Sequence, residues 1–321
     1  MVALIFVWPL CAQTGRDLDS LTREIRTIAA AADGTVGVTA VQVESGQRVS
    51  LNSSLRFPMA SVCKFPIAIE VLDCVDRDQL KLEQQVKVRI SDLRPGQSPL
   101  AKRMPQGGSL TVRELLRYML VESDNTACDV LLRLAGGAAA VTGRLRGLGI
   151  ADIDVSRGEG QLALDFSGVT SPPPEELWTP KLVNRLMRAV PPAKRRAAAA
   201  SWMTDPRDTA TPDAMAALLI RVERRDLLKP ASAALLIDLM TQTTTGSARL
   251  KGLLPPGTVV AHRTGTYGES TATNDVGIVT LSGAAGHVAI AVFVKASGRN
   301  LDERERVMAR ISRAVYDFWN E

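Results

Sequence analysis

Residues that bind metals or stack on nucleic-acid bases are scarce in this sequence. Of 321 residues, two are histidine and four are cysteine, and no C-x-x-C pair or cysteine–histidine cluster occurs. We therefore expect neither a metal nor any other cofactor. Aromatic residues make up only 4% and basic residues are scattered, so the net charge of +5 does not indicate nucleic-acid binding. A mildly basic enzyme with a small anionic substrate fits this composition.

Long hydrophobic runs are also scarce. Residues 1–12 read MVALIFVWPLCA, which is too short to span a bilayer. The run ends in a small residue, as a secretory signal does, although the usual charged start is missing. We expect a secreted or periplasmic monomer with no stable membrane span. A buried N-terminal strand is the alternative for this segment.

The remaining composition, 45% hydrophobic and 23% charged, is that of a globular protein with one or two domains. Cys63 and Cys74 fall in one predicted helix and Cys128 in another. Because nothing near them resembles a metal site, we expect these cysteines to be buried free thiols.

Hydrophobic periodicity predicts an α+β fold. Residues 17–32 form an amphipathic helix that stops at Gly34, and the helix is followed by a β-hairpin. Three more strands and a closing helix come only near the C-terminus. The two ends of the chain should therefore build one antiparallel sheet flanked by the N- and C-terminal helices. The predicted strands are 36–44, 48–52, 259–264, 275–281 and 288–295, and the closing helix is 302–319.

The middle of the chain is predicted to be mainly helical, with its main helices at 111–120, 125–135 and 138–148. This gives a sheet domain made of residues 13–57 and 250–321 and a helical domain made of residues 58–249, with the active site between them. Residues 166–204 interrupt the helical domain with proline-rich turns and a helix start at Thr179-Pro180. We call residues 166–204 the insertion and predict that they form a helical excursion. Its basic run, Lys194 to Arg196, is expected to be a solvated helix face.

The first candidate catalytic pair is Ser61 and Lys64, at the head of the apolar run FPMASVCKFPIAIEVL. Three-residue spacing in a helix places the hydroxyl and the amine on one face. A serine needs a base to become a good nucleophile, and an amine that has lost its solvation can serve. The start of a helix also points free N–H groups at developing negative charge. The pair alone is a weak signal, because S-x-x-K occurs by chance in many ordinary helices.

Two further motifs add specificity. Ser123-Asp124-Asn125 lies between two predicted helices and offers a hydroxyl for proton transfer and a carboxamide for a substrate amide. Residues 263–266 read Arg-Thr-Gly-Thr on a predicted strand, where a cation and hydroxyls suit a carboxylate and the glycine permits close approach to the backbone. Either motif alone would be an ordinary helix cap or strand end.

In this order and at these intervals, the three motifs resemble the S-x-x-K, S-D-N and K-T-G set of class A β-lactamases and penicillin-binding proteins. The chain is similar to class A serine β-lactamases from about Gly15 to the C-terminus, apart from the insertion. The similarity includes the stretches LTVRELLRYM, TTTGSARLKGLLPPGTVVAHRTGT and ATNDVGIV. It implies that the substrate is a small β-lactam such as a penicillin or a cephalosporin.

The resemblance also implies roles for individual residues. Ser61 would be the acylated nucleophile, Lys64 its partner, and Ser123 the proton relay to the lactam nitrogen. Asn125 would contact the amide of the substrate side chain. The backbone N–H groups of Ser61 and Thr266 would form the oxyanion hole.

A glutamate that activates the deacylating water separates β-lactamases of this class from penicillin-binding proteins. Glu159, in IDVSRGEGQLALD, takes that position by resemblance. Arg157 matches the arginine that pairs with an aspartate at the far end of the same loop, and that aspartate would be Asp208. Because the insertion lies between the two, this ion pair would close its neck. Glu175 and Glu176, inside the insertion, are the alternative source of the base.

The sequence departs from the family pattern at three positions. Arg263 replaces the usual lysine, which keeps the charge and favours bidentate carboxylate binding. Thr264 and Gly265 complete that binding strand, and Arg249 matches a second arginine that some members aim at the same carboxylate. Ala163 stands where many members have an asparagine that helps to hold the water. Gln97 stands where an aromatic residue often lines the pocket. Substrate binding should survive these changes, and deacylation is the step they affect.

Three functions remain open from the sequence. The leading one is a serine β-lactamase that works through an acyl-enzyme. The second is a penicillin-binding or D-Ala-D-Ala peptidase-like protein that acylates but deacylates slowly. The third is a non-catalytic module that senses lactams or the cell wall.

Overall fold

A computed structural model describes residues 17–268 and 272–320 of the chain. The predicted signal-like segment, residues 1–12, lies outside the described residues. Within the described part, the predicted α+β architecture with an antiparallel sheet is confirmed. The helices are α1 Leu18–Ala30, α2 Lys64–Asp76, α3 Pro99–Arg103, α4 Val112–Val121, α5 Asn125–Leu134, α6 Ala138–Gly147, α7 Glu159–Phe166, α8 Pro180–Ala189, α9 Pro192–Trp202, α10 Pro212–Glu223, α11 Pro230–Thr241 and α12 Leu301–Trp319. The strands are β1 Thr35–Gln42, β2 Arg48–Leu51, β3 Phe57–Pro58, β4 Gln85–Val88, β5 Gly108–Thr111, β6 Thr209–Ala210, β7 Val260–Tyr267, β8 Ala272–Thr280 and β9 His287–Lys295.

The main sheet has five strands in the order β2-β1-β9-β8-β7, so that β7 forms one edge. Each pair of neighbouring strands is antiparallel. The sheet is covered on both faces, which explains why its central strand β9 is an almost unbroken apolar run. One face packs under α1 and α12, and the other packs against α10 and α11. Alternate residues of β9 serve these two faces: Val288, Ile290, Val292 and Val294 on the first, and Ala289, Ala291 and Phe293 on the second.

Local signals in the sequence fix where several helices begin. The side chain of Asp17 caps α1 by accepting from the backbone N–H of Ser20, as expected for an aspartate at a helix start. Reciprocal capping boxes open two more helices, α4 with Thr111 and Glu114, and α12 with Asn300 and Glu303. These caps satisfy N–H groups that have no partner within the helix.

The apolar core on the second face of the sheet surrounds α2, which is buried along almost its whole length. Cys63, Cys74 and Cys128 are buried free thiols, as predicted. On the sheet side, α10 is tied to β1 by a hydrogen bond of 2.6 Å from Thr39 Oγ1 to Asp213 Oδ1.

The insertion is helical, as predicted, and contains α8 and α9. None of the helices that the structure describes is both long enough and apolar enough to cross a lipid bilayer.

Candidate active site

Ser61 lies on a single 3-10 turn, Ala60–Cys63, immediately before α2. Residues three apart eclipse one another in such a turn, and Lys64 Nζ lies 3.0 Å from Ser61 Oγ. The residue before Ser61, Ala60, has a φ of +48°, a conformation that is costly without glycine and that marks functional sites. Asn274 on β8 fixes the turn, because its Nδ2 donates to the carbonyls of Pro58 and Met59 at 2.8 and 2.9 Å.

Lys64 stands at the centre of the site and is 0% exposed. Its Nζ lies 2.8 Å from Glu159 Oε1. It also donates to Asn125 Oδ1 at 2.6 Å and to Ser123, whose carbonyl and Oγ lie at 3.0 and 3.4 Å. A buried ammonium group needs such oxygen partners. The structure thus brings the four predicted catalytic residues Ser61, Lys64, Ser123 and Glu159 together around one nitrogen.

Ser123 is held in place by the junction of α4 and α5. Its φ is +61°, and the next residue, Asp124, is the N-cap of α5. The Asp124 carboxylate accepts from the backbone N–H groups of Ala127 at 2.8 Å and Leu100 at 2.6 Å. Burial raises the pKa of Asp124, and these hydrogen bonds oppose that rise. The middle residue of the S-D-N motif therefore positions the two that face the site.

Arg263 on β7 is fully buried, and its Nη2 donates to Ser123 Oγ at 2.5 Å. Burial lowers the pKa of Arg263 to about 10, so the guanidinium is still cationic at neutral pH. Its Nε and Nη1 have no hydrogen-bond partner among the described residues. A buried cation with unused donors is suited to an anionic ligand.

Gly265 brings strand β7 against the Ser61 turn. A Cβ at this position would lie 2.4 Å from the carbonyl oxygen of Met59, so only glycine allows this approach. The Oγ1 atoms of its neighbour Thr264 and of Thr245 share a hydrogen bond of 2.5 Å. Thr266, in contrast, is exposed. As β7 is an edge strand, its outer side is open to a bound molecule.

Arg249 supports this strand from behind. Its guanidinium donates to the carbonyls of Gly265 and Asn274 at 3.2 and 2.8 Å and to Thr266 Oγ1 at 2.5 Å. Its Nε pairs with Glu305 at 3.0 Å. Arg249 therefore reaches the predicted site, and most of its donors are engaged in holding β7.

Glu159 is the first residue of α7. Its Oε1 accepts from Ser61 Oγ at 3.3 Å, in addition to contacting Lys64. Asp129 fixes the start of this helix, because its carboxylate accepts from the backbone N–H groups of Glu159 and Gly160 at 2.6 and 3.0 Å. Neither Asp129 nor Asn274 was predicted from the sequence as a residue of the site. Asp129 lies one helical turn after Asn125, so this i, i+4 spacing places both on one face of α5 but does not indicate the contact with α7.

The predicted ion pair at the neck of the insertion is present. Arg157 Nε donates to Asp208 Oδ2 at 2.6 Å, and both side chains are buried. Arg157 also contacts Asp165 at 2.8 Å and Asp205 at 3.3 Å. The loop that carries Glu159 is therefore closed in spite of its length.

The residues that depart from the family pattern lie around the site. Ala163 is half-buried in α7. Gln97 is exposed, and its Nε2 donates to the Glu122 carbonyl at 2.9 Å.

Glu175 pairs with Arg94, and Glu176 is exposed on the insertion. Across residues 17–268 and 272–320, no three His, Cys, Asp or Glu side chains are grouped as they would be around a metal ion.

Comparisons with known proteins show the family of the chain. Residues 20–319 match the profile of the Beta-lactamase enzyme family. The chain is 31% identical over 326 residues to β-lactamase VEB-1 of Pseudomonas aeruginosa, covering 99% of this chain and 97% of that protein.

Solved structures give the same result. A β-lactamase from Chitinophaga pinensis is 35% identical, with a TM-score of 0.78 and coverage of 92% of this chain and 98% of that one. An ancestral class A β-lactamase is 30% identical, with a TM-score of 0.75 and coverage of 92% and 99%.

Proposed function

The chain belongs to the beta-lactamase enzyme family and is a class A β-lactamase, an enzyme that hydrolyses β-lactams, and from this premise we propose how its residues divide the reaction. One observation carries the proposal. Lys64 Nζ lies within hydrogen-bond distance of Ser61 Oγ, Ser123 Oγ and Glu159 Oε1 at the same time. A single amine can therefore exchange protons with the nucleophile and with the relay to the leaving group.

Acylation uses Ser61, Lys64 and Ser123. Lys64 first gives one proton to the Glu159 carboxylate, 2.8 Å away, and recovers it after acylation. In the amine form, Lys64 takes the proton of Ser61 Oγ as that oxygen attacks the lactam carbonyl carbon. Lys64 passes a proton to Ser123, which gives its own to the lactam nitrogen as the C–N bond breaks. The product is an ester on Ser61, and the proton lost by Ser61 has been gained by the nitrogen.

Backbone groups and Arg263 hold the substrate. The N–H groups of Ser61 and Thr266 would stabilise the oxyanion, each worth about 3 to 4 kcal/mol. Arg263, which has unused donors, would bind the substrate carboxylate with the hydroxyls of Thr264 and Thr266, and Gly265 would let the substrate lie along β7. Arg249 supports the same subsite.

Deacylation uses Glu159. Its carboxylate takes a proton from a water molecule, and the resulting hydroxide attacks the ester carbonyl. The ester C–O bond breaks and Ser61 Oγ recovers a proton from Glu159, whose Oε1 lies 3.3 Å away. Asn125, whose Oδ1 accepts a hydrogen bond from Lys64, would also contact the amide of the acyl side chain.

We further propose that the chain acts as a secreted or periplasmic monomer on penicillins and cephalosporins. The division into a sheet domain, 13–57 with 250–321, and a helical domain, 58–249, is part of this proposal. It is supported by the two apolar clusters, one under α1 and α12 and one around α2.

Turnover of a chromogenic cephalosporin tests the proposal. We expect steady turnover by the parent. Glu159→Gln should release one equivalent of product and then stall, with the acyl group on Ser61 visible by mass spectrometry, while Glu176→Gln turns over normally. A parent that stalls after one equivalent would favour the penicillin-binding alternative, and a parent that never reacts would favour the sensing module. Normal turnover by Glu159→Gln would exclude Glu159 as the base.

A further inference from the structure

Helix α7, which carries Glu159, is only eight residues long. A helix of this length has little stability of its own and depends on packing against its surroundings. Its apolar residues point to two sides, with Leu162 and Phe166 on one and Leu164 on the other. Both sides are covered by the insertion.

The Leu164 side packs against the first half of the insertion. Leu164, Trp178 and Val183 form one buried cluster, in which Leu164 is 0% and Trp178 3% exposed. Val183 is the one buried residue of α8. Since these partners come from residues 178–183, Leu164 would lose this cover without the insertion.

The other side packs against the end of the insertion through three aromatic rings. Phe166 meets Trp202 edge-on at 5.5 Å and Tyr267 at 4.6 Å between ring centroids, and Trp202 stacks on Tyr267 at 5.1 Å. Trp202 is the one buried residue of α9. Tyr267 directly follows Thr266 on β7, so the insertion joins the helix of the base to the substrate-binding strand.

An ionic chain leads from the insertion to the backbone of Glu159. Glu175 pairs with Arg94, and Arg94 Nε donates to Asp129 Oδ2 at 2.6 Å. Asp129 in turn accepts from the N–H groups of Glu159 and Gly160. The Trp178 ring lies against the Arg94 guanidinium, whose Cζ is 5.2 Å from the centroid of that ring.

Gly160 shows how close this contact is. A Cβ on Gly160 would lie 2.5 Å from Arg94 Nε and 2.9 Å from the ring of Trp178. Trp178 of the insertion therefore packs directly against Gly160, the residue that follows the proposed base. No other carboxylate of the described residues pairs with Arg94 besides Glu175 and Asp129.

We propose that the insertion is the scaffold that positions Glu159 for deacylation, with Glu175 and Trp202 as positioning residues at its two attachments to α7. This rests on the proposed role of Glu159. The two residues touch neither the nucleophile nor its partners, so they act through Asp129 and Phe166. Their loss should slow hydrolysis of the ester and spare its formation.

Steady-state kinetics on a cephalosporin, with mass spectrometry of the working enzyme, test this. When only deacylation slows, kcat and KM fall together and kcat/KM is kept, while the acyl-enzyme accumulates. For Glu175→Ala we expect both constants to fall by about fivefold, with kcat/KM within about twofold of the parent. Glu176→Ala removes the neighbouring carboxylate, which has no partner among the described residues, and should match the parent. Trp202→Ala should behave like Glu175→Ala, and Trp202→Phe should restore most of the rate.

The same assay separates this inference from the proposed function. If Glu159→Gln stalls but Glu175→Ala and Trp202→Ala match Glu176→Ala, the scaffold role is wrong and the role of Glu159 stands. A fall in kcat/KM without acyl-enzyme accumulation would also overturn the scaffold role, because a general loss of structure acts on both steps. If Glu159→Gln turns over freely, the proposed base and the inference built on it both fail.

Discussion

Arg157 and Asp208 are 51 positions apart in the chain, and Nε of the first donates to Oδ2 of the second at 2.6 Å. Asp208 Oδ1 also accepts from the backbone N–H groups of Ser156 at 2.8 Å and Arg157 at 3.1 Å. One buried carboxylate therefore holds together the two ends of the segment that carries Glu159 and the insertion, so this segment is closed in spite of its length.

We expect Asp208→Asn to lower the free energy of unfolding by about 3 kcal/mol, because it leaves the buried Arg157 cation without its main partner. Urea denaturation measures this. The control is Asp226→Asn, which removes a half-exposed pair with Arg221 and should cost less than about 1 kcal/mol. Equal losses of unfolding free energy in the two variants would show that the Arg157–Asp208 pair stabilises the fold no more than a half-exposed ion pair does.

Ser61→Ala should abolish both hydrolysis and covalent labelling by penicillin, since within the described residues Ser61 Oγ is the hydroxyl that accepts from Lys64 and donates to Glu159. Mass spectrometry after mixing with penicillin gives the result directly. Ser109 is the exposed residue of strand β5, and Ser109→Ala should label normally. An adduct on the Ser61→Ala protein would identify a different nucleophile.

Arg263→Ala should lower kcat/KM by roughly 10- to 100-fold, mainly through KM, because a hydrogen bond to a charged group is worth about 1.5 to 3 kcal/mol. Arg263→Lys keeps the cation and should stay within about threefold of the parent. Initial rates over a range of substrate concentrations separate the two. Lysine performing no better than alanine would argue against a carboxylate contact at this position.

Arg249→Ala should lower both kcat/KM and the melting temperature, since Arg249 holds the carbonyls of Gly265 and Asn274 as well as Thr266. In the double variant with Arg263→Ala, we expect losses smaller than the sum of the single ones, as both act on one subsite. Strict additivity would place Arg249 outside the subsite.

Tyr267→Phe should change how stability depends on alkaline pH. Burial, together with the Glu159 carboxylate, raises the pKa of Tyr267 above its ordinary value of 10.0. The folded chain therefore keeps a proton that the unfolded chain releases, and the stability due to this group is present below pH 10 and lost above it. By pH 11 the loss is about 1.4 kcal/mol, and the phenylalanine variant should be spared it. Parallel stability curves from pH 9 to 11 would contradict this.

Short-range patterns in the sequence were sufficient for much of the fold. The closing helix was predicted at 302–319 and spans Leu301–Trp319, and the helix predicted at 125–135 spans Asn125–Leu134. Strand bounds were less accurate. Strand β8 was predicted to begin at Asp275 but begins at Ala272, because Thr273 and Asn274 break the apolar pattern. The structure buries them, and Asn274 Nδ2 donates to the carbonyls of Pro58 and Met59.

The sequence by itself determined the pairing of Ser61 with Lys64, because a spacing of three residues in one helical turn needs no distant contact to bring two side chains together. It also pointed to Glu159 and to the closure of the neck, through the resemblance to a family. Only the tertiary structure decided that Asp129 and Asn274 hold the catalytic residues in place, and that the insertion folds back onto α7. These contacts join segments far apart in the chain, and they depend on which faces become buried together, a property that no local pattern of residues encodes.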